Sequence, residues 1–176
     1  EPVSITKEKT LFEAIQLLES KNKQICGVVD DDGKLIGIVT INDAAKIAMG
    51  DTASTAKLLK DVSVESICTA ISGRIIYKDP VCRTNGKVSV VATTAGSVEQ
   101  YKVHDKIVII GDDARAQREA IELGAGVLIL VRADRVEDRV LETAKERHCS
   151  VIMSGHSTMN TARYVFFAPK VEKIMN

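Results

Sequence analysis

The stretch VVDDDGKLIGIVTINDAAK, residues 28 to 46, decides how the front of this chain folds. Two apolar runs flank Asp30-Asp31-Asp32-Gly33, a polar turn whose Gly accepts positive φ cheaply, so QICGVVD and KLIGIVT are predicted to form a hairpin. The second strand runs into Thr40-Ile41-Asn42-Asp43, where a hydroxyl followed three residues later by a carboxylate marks a helix N-terminus. A short helix over INDAAKIAMG then ends on Gly50.

The same geometry would suit a nucleotide. Free N–H groups and the positive end of a helix attract phosphate oxygens, and a carboxylate accepts both vicinal hydroxyls of a ribose. Thr10 and Glu13 repeat the spacing with no sign of a ligand, so spacing alone leaves cap and binding site both open.

Before that hairpin, TLFEAIQLLESKNK places apolar residues at 11, 12, 14, 15, 17 and 18, a helical stripe opened by the Thr10–Glu13 capping box. The first fifty residues therefore read strand, helix, strand, strand, helix. From Asp51 to about Ile71 the pattern is helical and polar, a connector packing one face. Strands are expected at GRIIY, GKVSVVAT, KIVII, GVLILV and CSVIM, with helices at ARAQREAIELG and VEDRVLETAKER between the later ones. Alternating helices and continuously apolar strands predict a parallel or mostly parallel sheet covered by helices, so the fold class is α/β. The final residues, PKVEKIMN, open an element expected to continue beyond them.

At 176 residues, 45% apolar and 27% charged, the chain has the composition of a globular protein with one or two small cores. Basic and acidic residues balance at 24 each, which argues against a duplex or membrane-surface binder, and 3% aromatic residues leave little to stack single-stranded bases on. No apolar run is long enough to cross a bilayer and no leader is recognised, so no membrane association and a cytoplasmic location are expected. Cys26, Cys68, Cys82 and Cys149 lack CxxC spacing and neighbouring His residues, so they read as reduced thiols, mostly core fillers, and no metal site is expected.

Other chemistries find little support. IIGDDARAQ supplies one Gly and two acids where a dinucleotide loop needs GxGxxG, and Val131-Arg132 stands where a phosphate-receiver domain would need an acceptor Asp. Asp112 and Asp113 read as turn and helix-start acids, and Gly155-His156-Ser157-Thr158 as a cap. His104, His148 and His156 are isolated, and no GxSxG, P-loop or Asp-His-His cluster appears, so no catalytic residue is expected.

PVSITKEKTLFEAIQLL and QICGVVDDDGKLIGIVTINDAAK together resemble a CBS motif, a regulatory module that works in pairs. The resemblance implies that Thr40 contacts phosphate and Asp43, with Asn42 beside it, holds the ribose of an adenine nucleotide. Backbone around Ser4, Ile5, Cys26, Gly27 and Val28 would border the base. NGKVSVVAT, KIVIIGDDARAQREAIELGAGVLIL and VLETAKERHCSVIMSGHSTMNTARYV resemble a DRTGG domain. LILVRADR lacks that family's paired glycines and Ser157 stands where an Asp is common, so packing or dimerisation is expected of this unit. PKVEKIMN is similar to the opening of a second CBS motif.

The expected organisation is a CBS motif at 1–52, a helical connector at 53–71, a DRTGG-like α/β domain at 72–168 and the start of a second, truncated CBS motif at 169–176. This order resembles the regulatory insert of family II manganese-dependent inorganic pyrophosphatases. It implies a non-catalytic adenine-nucleotide sensor, inhibited by AMP or ADP and activated by ATP or diadenosine polyphosphates such as diadenosine tetraphosphate. It implies too a homodimer through both units, no cofactor in these residues, and Mn²⁺ or Co²⁺ in the parent hydrolase. The rival expectation is a structural dimerisation module whose Thr40 and Asp43 only cap; a further alternative is an accessory region of an acyl or phosphotransferase.

Overall fold

The computed structural model describes residues 1–92 and 95–176. The front unit has the predicted order: β1 (Ser4–Thr6), α1 (Leu11–Lys21), β2 (Ile25–Val29), β3 (Leu35–Thr40) and α2 (Ile41–Ala48). β1 pairs parallel to β2, and β2 pairs antiparallel to β3, with a bulge opposite Val28 and Val29. The hairpin turn is stabilised as its composition requires: Asp30 Oδ1 accepts from Asp32 N at 3.0 Å and Lys34 N at 2.9 Å, and Gly33 sits at φ 79°.

One face of this small sheet is covered. Cys26, Val28 and Val39 are fully buried, and Val28 and Val39 pack with Leu11 and Ala14 of α1 and Ala44 of α2. The opposite face is open and apolar, because Ile25 and Ile38, which alternate with those core positions, and Leu35, which lies beside Gly27, remain exposed.

The second unit contains α3 (Thr52–Leu59), α4 (Val64–Ala70), β4 (Arg74–Tyr77), β5 (Val88–Val91), β6 (Ile107–Ile110), α5 (Ala114–Glu122), β7 (Val127–Leu130), α6 (Asp138–Arg147), β8 (Ser150–Met153) and α7 (Thr158–Tyr164). Its sheet order is β4-β8-β7-β6-β5, parallel throughout except that β4 runs antiparallel to β8. The mostly parallel expectation is met, and Thr93, at the end of the strand read from GKVSVVAT, lies outside the described residues.

Both faces of this sheet carry a core, which is why its strands are apolar without alternation. Val108, Ile110, Leu128, Leu130 and Val151 pack against α5 and α6, while Ile107, Ile109, Val127, Ile129 and Ile152 face Leu59, Val64, Ile67 and Val165. The two helices of the connector thus deliver apolar residues to this second face.

One local feature goes beyond the sequence reading and a second bears it out. A 3-10 turn at Val98–Tyr101 ends on Lys102 in the left-handed region at φ 50°, and α7 follows Ser157, whose hydroxyl accepts from Asn160 N at 3.3 Å. The cap expected at Gly155 to Thr158 is therefore Ser157. Asp113 likewise caps α5, accepting from Arg115 N and Ala116 N. Among the thiols, Cys26 and Cys149 are buried, Cys68 is half-buried and Cys82 is exposed.

After α7, residues 169–176 return to the front unit as a strap. Leu11 N donates to Pro169 O at 2.8 Å, Val171 N to Lys9 O at 2.8 Å and Glu172 N to Lys7 O at 3.2 Å. Val171 is fully buried in the front core, and Ile174 and Met175 pack against it. Asn176 exchanges two backbone hydrogen bonds with Ile38 on the free edge of β3, at 3.0 and 3.1 Å.

Candidate functional site

Thr40 ends β3 and caps α2, so one residue joins the sheet to the helix. Its hydroxyl accepts from Asp43 N at 3.2 Å, and Asp43 Oδ2 accepts from Thr40 N at 2.8 Å and from Thr40 Oγ1 at 3.1 Å. This is a complete capping box. Asp43 is 9% exposed, low for a carboxylate, and its second oxygen accepts from Asn176 Nδ2 at 3.1 Å. The sequence signal found Thr40 and Asp43; it held nothing about Asn176, which lies 133 positions away.

The pairing register sorts the remaining candidates. Ser4 pairs with Gly27 and Gly27 with Ile38, while Ile25 pairs with Thr40, so Ser4, Gly27 and Thr40 share the open sheet face. Gly27 has no side chain there, and a Cβ would come within 3.0 Å of Leu35 Cδ1. Cys26 and Val28 point their side chains into the covered core, leaving only their backbone to border a ligand. Ile5 packs against that same core, and Asn42 is exposed in the first turn of α2.

The arrangement therefore offers a helix N-terminus with positive dipole, a nearly buried carboxylate and an apolar sheet face in one place. Phosphate, ribose and a flat heteroaromatic base need those three environments in that order. A separate cavity of about 550 Å³ lies between the two units, where Ile15 of α1 and Ala45 of α2 face Arg163 and Tyr164 of α7.

Among the described residues, no group of three or more His, Cys, Asp or Glu side chains could hold a metal ion. No helix of the described residues is long and apolar enough to cross a membrane.

Comparison with known proteins adds the context. The family model of the DRTGG domain matches residues 66–166 and that of the CBS domain matches residues 1–50. Over 99% of its length the chain is 25% identical to a probable manganese-dependent inorganic pyrophosphatase of Thermotoga maritima, covering 32% of that protein. It is 24% identical, over 97% of its length, to a cobalt-dependent inorganic pyrophosphatase of Clostridium perfringens, covering 31% of it. The chain thus spans about a third of the length of these relatives. In fold it is similar to the CBS and DRTGG domains of the regulatory region of Clostridium perfringens pyrophosphatase, a crystal structure complexed with the activator diadenosine tetraphosphate. The TM-score is 0.84 at 25% identity, with all of this chain and 76% of that one covered.

Proposed function

We propose that this chain, which belongs to the DRTGG domain family and carries a CBS domain ahead of that unit, is an adenine-nucleotide-binding regulatory region of an inorganic pyrophosphatase. The observation that carries this reading is the Thr40–Asp43 pair set on the same open face as Ser4 and Gly27, in a fold matching a regulatory region bound to diadenosine tetraphosphate. In this reading Thr40 and the first turn of α2 take phosphate, Asp43 takes ribose, and backbone at Ser4, Ile5 and Cys26 to Val28 borders the base, with Asn42 at the rim.

The open apolar face of β2 and β3 needs a partner. Burying several hundred Å² at about 25 cal/mol per Å² favours pairing strongly. The second motif that residues 169–176 would open is one such partner, and a second copy of the chain is the other. Nucleotide bound between paired motifs would then bias a two-state dimer by its difference in affinity for the two states, with mono- and diphosphates inhibiting and ATP or diadenosine polyphosphates activating. The described residues of this chain do not fit the manganese or cobalt of the relatives, so no catalytic step is assigned to them.

The capping box itself favours a second reading, a dimerisation module that binds nothing, because Thr10 and Glu13 close the same box at the start of α1 and the cap alone accounts for its hydrogen bonds. Calorimetric titration of the chain with AMP and with diadenosine tetraphosphate decides: saturable binding is expected, and no heat from either ligand overturns the nucleotide reading.

A further inference from the structure

The carboxylate of Asp43 is almost fully engaged before any ligand arrives. Its two oxygens offer four acceptor positions. Thr40 N and Thr40 Oγ1 take both on Oδ2, at 2.8 and 3.1 Å, and Asn176 Nδ2 takes one on Oδ1 at 3.1 Å. One position remains. A ribose presents two vicinal hydroxyls, so a bidentate diol and the Asn176 amide compete for the same oxygen.

Asn176 is held where this competition persists. Its N and O pair with Ile38 on β3, and the preceding Met175 lies against Gly37, where a Cβ would come within 2.7 Å of the methionine sulfur. Further back, Val171 N and Glu172 N bond the loop between β1 and α1, and Val171 is fully buried. The strap therefore keeps the Asn176 amide beside Asp43 through backbone bonds that do not involve the amide itself.

We infer that Asn176 is a specificity-determining residue of the nucleotide site, its side-chain amide occupying the Asp43 oxygen that a vicinal diol requires. This rests on the nucleotide reading above. While Asn176 is in place, Asp43 serves a ligand with one ribose hydroxyl as well as one with two, and the second hydroxyl is accommodated only by trading away the amide. Ligand occupancy and strap docking are then linked reciprocally, since each weakens the other at Asp43.

Calorimetric titration of the wild-type chain and of Asn176→Ala with AMP and with 2′-deoxy-AMP tests the inference. Removing the amide lets AMP gain a hydrogen bond without a trade, so its affinity is expected to rise about 3- to 10-fold while that for 2′-deoxy-AMP stays level. The ratio of the two affinities is the readout, because a general loosening of the strap moves both ligands together. An unchanged ratio, or weaker AMP binding, in a protein whose wild type binds AMP overturns the role of Asn176 and leaves the nucleotide reading standing. Binding of neither ligand by either protein overturns both.

Discussion

Thr40 and Asp43 bind each other in both directions: Thr40 Oγ1 accepts from Asp43 N at 3.2 Å, and Asp43 Oδ2 accepts from Thr40 N at 2.8 Å. Stability and ligand binding therefore draw on the same atoms. Asp43→Ala is expected to lower unfolding free energy by about 1 kcal/mol through the lost cap. If the carboxylate also holds ribose through charge-assisted bonds worth about 1.5 to 3 kcal/mol, AMP affinity falls about 10- to 150-fold. Glu13→Ala breaks the matching box on α1 and serves as the control, costing similar stability with AMP affinity unchanged. Urea unfolding and calorimetry on both variants read the two effects separately.

Acid sensitivity should centre on Asp79, a buried carboxylate two residues beyond β4. Burial pushes its carboxyl upward, but hydrogen bonds from Tyr77 Oη at 2.7 Å and Val81 N at 3.1 Å, with His148 Nδ1 at 3.3 Å, hold it below the ordinary range. A depressed folded pKa contributes stability that is present above the unfolded value near 4 and is lost as pH falls through the folded value. Tyr77→Phe removes the shortest of these bonds and is expected to lower stability at neutral pH. It should also move the acid unfolding midpoint, followed by circular dichroism, to higher pH.

Gly86 stands at φ 81°, and a Cβ there would lie 2.0 Å from Ala56 O. Gly86→Ala is expected to lose about 1 to 3 kcal/mol, because both the backbone conformation and the contact with α3 resist a side chain. At Gly111 an added Cβ meets nothing within 4 Å, so Gly111→Ala should stay within about 0.5 kcal/mol of wild type. Denaturant midpoints at constant slope compare the two.

Thiol reactivity should divide along burial. Cys149 is fully buried and burial pushes its thiol up to about 12, and Cys26 is buried with its thiol raised by the same cause. At neutral pH an aromatic disulfide reagent is expected to label the exposed Cys82 first and to reach Cys149 only on unfolding. Mass mapping of the labelled positions over time checks the order.

The local signals in the sequence were faithful wherever the physics is local. Asp30 to Gly33 had the turn chemistry of a hairpin, Thr10 and Glu13 that of a capping box, and VLIL the unbroken apolarity of a strand buried on both faces. The direction of β4 was not readable, because it is set by pairing with β8, more than seventy residues later. The left-handed Lys102 carries no Gly or Asn to announce it. At the candidate site, Thr40 and Asp43 were visible as a spacing, whereas register alone shows that Gly27 opens onto the free face while Cys26 and Val28 turn inward. Asn176 had no signal at all, since a contact across 133 residues leaves no mark on either neighbourhood.

The strap has a consequence for the order in which the chain acquires structure. Val171 completes the front core beside Leu11 and Val28, so the first fifty residues emerge from synthesis without the side chain that closes their interior. More than a hundred residues separate them from it, and β5 to β8 all precede it in the chain. The front unit is thus expected to mature last, so that limited proteolysis during synthesis should cut it until residues 169–176 have docked.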